Sequence, residues 1–208
     1  MTLNSFSYVV LTIFEKNISD CFDELSEFIL NDERDNYKIS KGKINFNKIY
    51  INEPPPGGAH FSIFLIWEPR NLIGKTAFLS SYSDGRYTLV LNYCEKYKVK
   101  AVSVSFTNRK DTSYLAYMFK YFDFSQNEVV ERIIYTIKDD AKWVFYEKGK
   151  IQPFEDMANY KNRIKTKRFN RNILLSYLGK MNINIEKGSF WQSNDGIAFY
   201  FEQICWSL

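Results

Sequence analysis

The stretch Tyr114-Leu-Ala-Tyr-Met-Phe-Lys-Tyr-Phe-Asp-Phe-Ser-Gln-Asn-Glu-Val-Val-Glu-Arg-Ile-Ile-Tyr-Thr-Ile-Lys-Asp-Asp-Ala-Lys-Trp-Val-Phe-Tyr-Glu147 decides the fold class. Runs rich in aromatic and β-branched residues fill 114–122, 129–137 and 143–147, a composition that suits a pleated surface. Between them stand Phe124-Ser125-Gln126-Asn127 and Lys138-Asp139-Asp140. Such connections are too short for the crossover that parallel pairing needs, so the stretch predicts an antiparallel meander.

Upstream, Val102, Val104 and Phe106 alternate with Ala101, Ser103 and Ser105, the period of a half-buried strand. Thr76 to Ser80, Phe61 to Trp67 and Phe6 to Phe14 read as further strands, the last two apolar enough to be covered on both faces. Helical spacing separates them. Phe22, Leu25, Phe28 and Ile29 follow Ser19, a capping residue, with a stop near Asn31; Tyr87, Val90, Leu91, Cys94 and Tyr97 follow Ser83-Asp84-Gly85, predicting a helix over 84–97. Residues 31–45 are polar, and Phe46 to Ile51 reads as a short strand. Downstream of Pro153, helical signals run from Glu155 to Tyr160 and along Phe169, Ile173, Leu174, Tyr177, Leu178 and Met181, with Asn170 as cap; Ile197 to Ile204 alternates and closes the chain as a strand. The pattern predicts one α+β domain over 1–208, mainly an antiparallel sheet with several helices packed on one side of it. Pro54-Pro55-Pro56-Gly57-Gly58 is the single candidate sub-boundary, too short to separate independent units.

Composition excludes several classes. With 45% hydrophobic and 18% aromatic residues among 208, the chain is no disordered tail. Cys21, Cys94 and Cys205 lack CxxC spacing and are odd in number, so neither a zinc-thiolate site nor a disulfide framework is expected, and each reads as a buried, reduced small hydrophobe. His60 is the sole histidine, which removes HExxH helices and paired-histidine chemistry; it reads as opening a strand. The apolar stretch Tyr8 to Phe14 is too short for an export or membrane segment, so a cytoplasmic protein is expected. No spacing specifies a nucleophile, cofactor cradle or metal set. The chain therefore reads as a non-enzyme without cofactor.

Two charge clusters are candidate binding surfaces. Asp20, Asp23, Glu24, Glu27, Asp32, Glu33 and Asp35 face only Arg34 between positions 20 and 35. On the predicted helix the first four lie opposite the apolar stripe, either as a solvated face or as a docking surface for a basic partner. Lys161, Arg163, Lys165, Lys167, Arg168 and Arg171 form a run without an acid. They read as a solvated or internally paired face, a protein contact, or, beside Tyr160 and Phe169, a phosphate-binding surface for nucleic acid. Two further stretches carry weaker signals. Ser83-Asp84-Gly85-Arg86 opens a helix but lacks the glycines of a phosphate loop, and Glu147, Glu155 and Asp156 offer carboxylates whose convergence spacing cannot establish.

Ser83-Asp84-Gly85-Arg86, the run Trp143-Val-Phe-Tyr-Glu-Lys-Gly-Lys-Ile-Gln-Pro-Phe-Glu-Asp156, and then Tyr160, Arg163, Arg168-Phe169, Tyr177-Leu178 and Phe190-Trp191 span roughly half the chain. These features are similar to motifs of bacterial proteins with no assigned chemistry; overall, as a small, single-domain, aromatic-rich chain without a catalytic motif, the sequence resembles immunity proteins encoded beside bacterial polymorphic toxins, as in contact-dependent inhibition and type VI secretion. The resemblance implies a cytoplasmic protein that binds a cognate toxin domain and blocks its active site or its activation. It carries over no contact residues. The leading expectation is toxin binding through the acidic face, and the alternative is a nucleic-acid accessory protein using 161–171.

Overall fold

In the computed structural model, which describes residues 2–31, 35–49, 62–108, 115–126 and 128–206, the chain forms one nine-stranded antiparallel sheet with helices on both faces. The strands are β1 (Tyr8–Phe14), β2 (Asp35–Gly42), β3 (Ile63–Trp67), β4 (Thr76–Ser80), β5 (Lys100–Thr107), β6 (Ala116–Asp123), β7 (Val130–Asp139), β8 (Lys142–Lys148) and β9 (Ala198–Trp206). Their spatial order is β2-β9-β3-β4-β1-β5-β6-β7-β8. The meander β5 to β8 is as the turns require. Every residue of β1 is buried, because this strand occupies the middle of the sheet, with Leu11 opposite Leu79 of β4 and Val104 of β5.

Strand alternation sorts the apolar side chains into two layers. Leu11 and Ile13, Leu65 and Trp67, and Ala77 and Leu79 enter one core; Phe14, Phe64, Ile66 and Phe78 enter the other. The second core is closed by α1 (Ile18–Leu30) through Cys21, Leu25 and Ile29, and by α2 (Tyr87–Tyr97) through Val90, Tyr93 and Cys94. The first is closed by α5 (Arg171–Lys180) through Leu174, Tyr177 and Leu178, together with Phe190 and Trp191 of a 3-10 turn. Helices confined to one side are thus overturned. Both parities of β1, β3 and β4 are apolar, and two covering layers follow.

Local differences have local causes. Asn17, not Ser19, caps α1, its side chain accepting from the Asp20 amide at 2.9 Å. Arg86, at a left-handed φ of 56°, precedes α2, so that helix begins three residues later than the capping signal places it. Phe46–Lys48 is a 3-10 turn, not a strand, and the polar stretch before it supplies β2. Asn36, Lys38, Ser40 and Lys41 have little intrinsic preference for a strand; pairing with β9 and the packing of Tyr37 and Ile39 against the α1 layer decide. Asn170 caps α5 as its position predicts, accepting from Asn172 and Ile173. The Pro54–Gly58 turn and His60 lie outside the described residues, as do Asp32, Glu33 and the side chains of Asp35 and Cys205.

Candidate partner-binding surface

Arg132 stands on β7 with the same parity as Ile134 and Thr136, so its side chain is carried into the first core and is 1% exposed. A buried guanidinium is tolerated only when charge and donors are matched. Here Nε donates to Glu155 Oε1 at 2.9 Å and Nη2 to Glu155 Oε2 at 2.7 Å, a bidentate pair with a carboxylate side chain that is 0% exposed. Nη2 also donates to Glu147 Oε2 of β8 at 2.6 Å, and Nη1 to the Gly149 carbonyl at 3.1 Å. Tyr160 Oη donates to Glu155 Oε2 at 2.6 Å, Tyr177 Oη donates to Tyr160 Oη at 3.0 Å, and the Gln152 amide donates to Glu155 Oε1 at 2.8 Å.

Burial alone would lower the Arg132 pKa, but hydrogen bonds to Glu155 and Glu147 outweigh it and hold the group above its ordinary range. Burial, then the hydrogen bonds to Glu155 and Tyr177, push Tyr160 up, so it stays a neutral donor at physiological pH. The cluster therefore acts as a clamp. It fastens the 149–156 connection and the segment after it to β7, β8 and α5. Gly149 belongs to the same device: at φ +93° its absent Cβ would lie 1.9 Å from the Glu131 carbonyl oxygen.

Beyond the clamp the chain forms two short helical turns, α3 (Met157–Tyr160) and α4 (Lys165–Arg168), the latter packed on β8 and β7. The basic run is carried here, and the structure divides it. Arg168 Nε donates to the Asn162 carbonyl at 2.6 Å and its guanidinium lies 5.5 Å from the Phe145 ring centre; Arg171 Nε donates to Asn108 Oδ1 at 2.9 Å and reaches Glu186 at 3.4 Å. These two are structural. Lys161, Arg163, Lys165 and Lys167 are exposed and have no ion-pair partner among the described residues. Ile164, 52% exposed, and Met157, 42% exposed, stand among them. Outside 157–171 the sequence holds 22 basic residues against 24 acidic, so the chain's positive excess resides in this one segment.

The acidic cluster fares differently. Glu24 is paired with Lys16 and accepts a hydrogen bond from Tyr93 Oη at 2.9 Å, while Glu27 lies 3.5 Å from Lys96. Asp20 accepts from the Asn17 amide side chain at 2.8 Å. Asp23 remains exposed. Half of the α1 carboxylates are thus neutralised by lysines of the same protein, because Lys16 and Lys96 flank the helix in space though not in sequence.

The remaining stretches have structural roles. Asp84 Oδ1 accepts from the Arg86 amide at 2.9 Å, and Arg86 Nη2 donates to Tyr37 Oη at 2.8 Å. Cys21 and Cys94 are free and buried; burial pushes the Cys21 thiol up to about 12 and Cys94 higher still, which leaves both as unreactive thiols. An open groove of about 540 Å³ beside Lys43, Asn45, Arg70 and Trp191 is lined by backbone turns and mixed side chains. Among the described residues no three His, Cys, Asp or Glu side chains are grouped to hold a metal ion, and no helix is long and apolar enough to cross a membrane. The spacing of the sequence missed Arg132. Its signal was a cation on the parity that Ile134 occupies, with Glu147 before the Gly149 turn and Glu155 after it.

The chain matches no known protein family, no curated protein and no solved structure.

Proposed function

We propose that this chain is an immunity-type protein that neutralises a bacterial toxin domain by direct protein–protein contact in the cytoplasm. One observation carries the reading: a segment with four exposed cations that have no ion-pair partner among the described residues, and two exposed apolar side chains, is clamped to the sheet by the buried Arg132–Glu155 ion pair. A solvated tail would need no such anchoring. Preorganised cations around apolar contacts are what a protein interface uses, the charges for steering and the apolar groups for affinity. The resemblance of the chain overall to immunity proteins points the same way. The basic segment is favoured over the α1 face because Glu24 and Glu27 already satisfy their charge internally.

The test is functional. Immobilised protein is passed over lysate of its host with and without nuclease treatment, and each retained protein is expressed alone and together with this chain. The reading expects a retained protein that arrests growth alone and loses that effect on co-expression. Retention that disappears on nuclease treatment, with binding to oligonucleotides that falls steeply with salt, would replace it with the nucleic-acid reading.

A further inference from the structure

The sheet ends on β8, which pairs with β7 on one side and with no strand on the other among the described residues. An edge of this kind offers a row of backbone donors and acceptors, and proteins ordinarily cover or blunt it. β8 is blunted by lysines at its two ends, Lys142 and Lys148, yet the middle reads Trp143-Val144-Phe145-Tyr146. Lys148 is matched by Glu131 at 2.9 Å; Lys142 and Lys150 are exposed and without an ion-pair partner among the described residues.

The two faces beside this edge differ. On one, α4 packs over β8, bringing Lys165 and Lys167 to it. On the other, α2 reaches the sheet as far as β6, where Tyr87 meets Phe122 at 6.0 Å. Past that contact Met118, Ile133, Tyr135 and Val144 are half-buried and belong to no packed cluster, and Tyr146, 41% exposed, stacks on Tyr135 at 5.0 Å.

We infer that the free edge of β8 receives an extended acidic segment of the partner protein as a tenth strand. Main-chain hydrogen bonds to β8 supply the affinity; apolar side chains of the added strand rest beside Val144 and Tyr146, and the carboxylates that alternate with them meet Lys165 and Lys167 on the α4 side. The charge argument selects the occupant. A second copy of β8 paired antiparallel about its centre would set Lys142 against Lys148, and a basic strand would meet Lys165 and Lys167. The inference rests on the binding-protein reading and adds the surface and the partner's chemistry to it.

The experiment uses the full chain and three synthetic ten-residue peptides: alternating Glu and Val, alternating Lys and Val, and the acidic peptide with central prolines. Amide exchange is followed by NMR. The expected result is protection of alternate β8 amides, those that β7 leaves free, by the uninterrupted acidic peptide only. The variant K165E/K167E, changed at exposed sites and checked for an unaltered circular dichroism spectrum, should bind that peptide about tenfold or more weakly. Equal binding of the proline-interrupted peptide, protection away from β8, or no binding by any peptide overturns the added strand. So does oligonucleotide binding that the same variant abolishes without any β8 protection. Growth rescue by co-expression is scored separately, so an immunity protein that docks elsewhere is distinguished from a protein with no toxin partner.

Discussion

Arg132→Met leaves Glu155 buried without its guanidinium, and an uncompensated buried carboxylate costs more than a buried pair contributes. Urea unfolding of R132M should show a loss of about 3–5 kcal/mol, and R132M/E155Q should recover part of it. A loss below about 1 kcal/mol would show that the clamp is not holding its segment. A second residue, Asp123, sets acid sensitivity. Burial would raise its carboxyl above the ordinary 3.8, but hydrogen bonds from Ser125 and the ammonium of Lys100 outweigh that and hold it lower. The folded state then binds this proton less tightly than the unfolded chain does. The contribution of Asp123 to stability is therefore fully present above about pH 4 and is lost as the pH drops through the depressed value. Asp123→Asn should flatten that acid limb in a pH series of thermal melts, and an unchanged limb would assign it to other carboxylates.

Among the elements, α1 and the α3–α4 segment carry the two charge clusters, and they respond oppositely to reversal. Asp20→Lys with Asp23→Lys should leave partner affinity within about twofold, since the remaining carboxylates of α1 are already matched by Lys16 and Lys96. A loss beyond tenfold by titration calorimetry would return the docking site to α1. This contrast was half legible in the sequence. The stripe of α1, the Asn170 cap and the meander 114–147 follow from spacing and turn chemistry, which are local. β2 was not legible, because a polar segment becomes a strand only when β9, more than 150 residues away, offers its edge. Neither could spacing reveal that Lys96 reaches Glu27 or that Arg132 gathers Glu147 and Glu155, since these are long-range pairings of side chains that each look solvated alone. The division of the basic run into two structural arginines and four cations without an ion-pair partner among the described residues has the same origin.

For the whole molecule, β9 ties β2 into the sheet, pairing with β2 on one side and β3 on the other. Removing 198–208 deletes buried Tyr200 and Phe201 and separates β2 from the sheet, so it should abolish cooperative unfolding instead of fraying one edge. A retained two-state transition in denaturant would contradict that. The same architecture explains the placement of the proposed interface. The centre of the sheet is covered on both faces, whereas β8 and the clamped basic segment occupy the opposite end from β2 and β9, where docking disturbs no core packing. The most direct test is the affinity of a protein retained from the lysate for the wild-type chain and for K161E/R163E/K165E/K167E at low and high salt. The account predicts tight wild-type binding that weakens with salt, and loss of binding by the variant with its melting temperature unchanged. Equal affinity of the two proteins at low salt would contradict it.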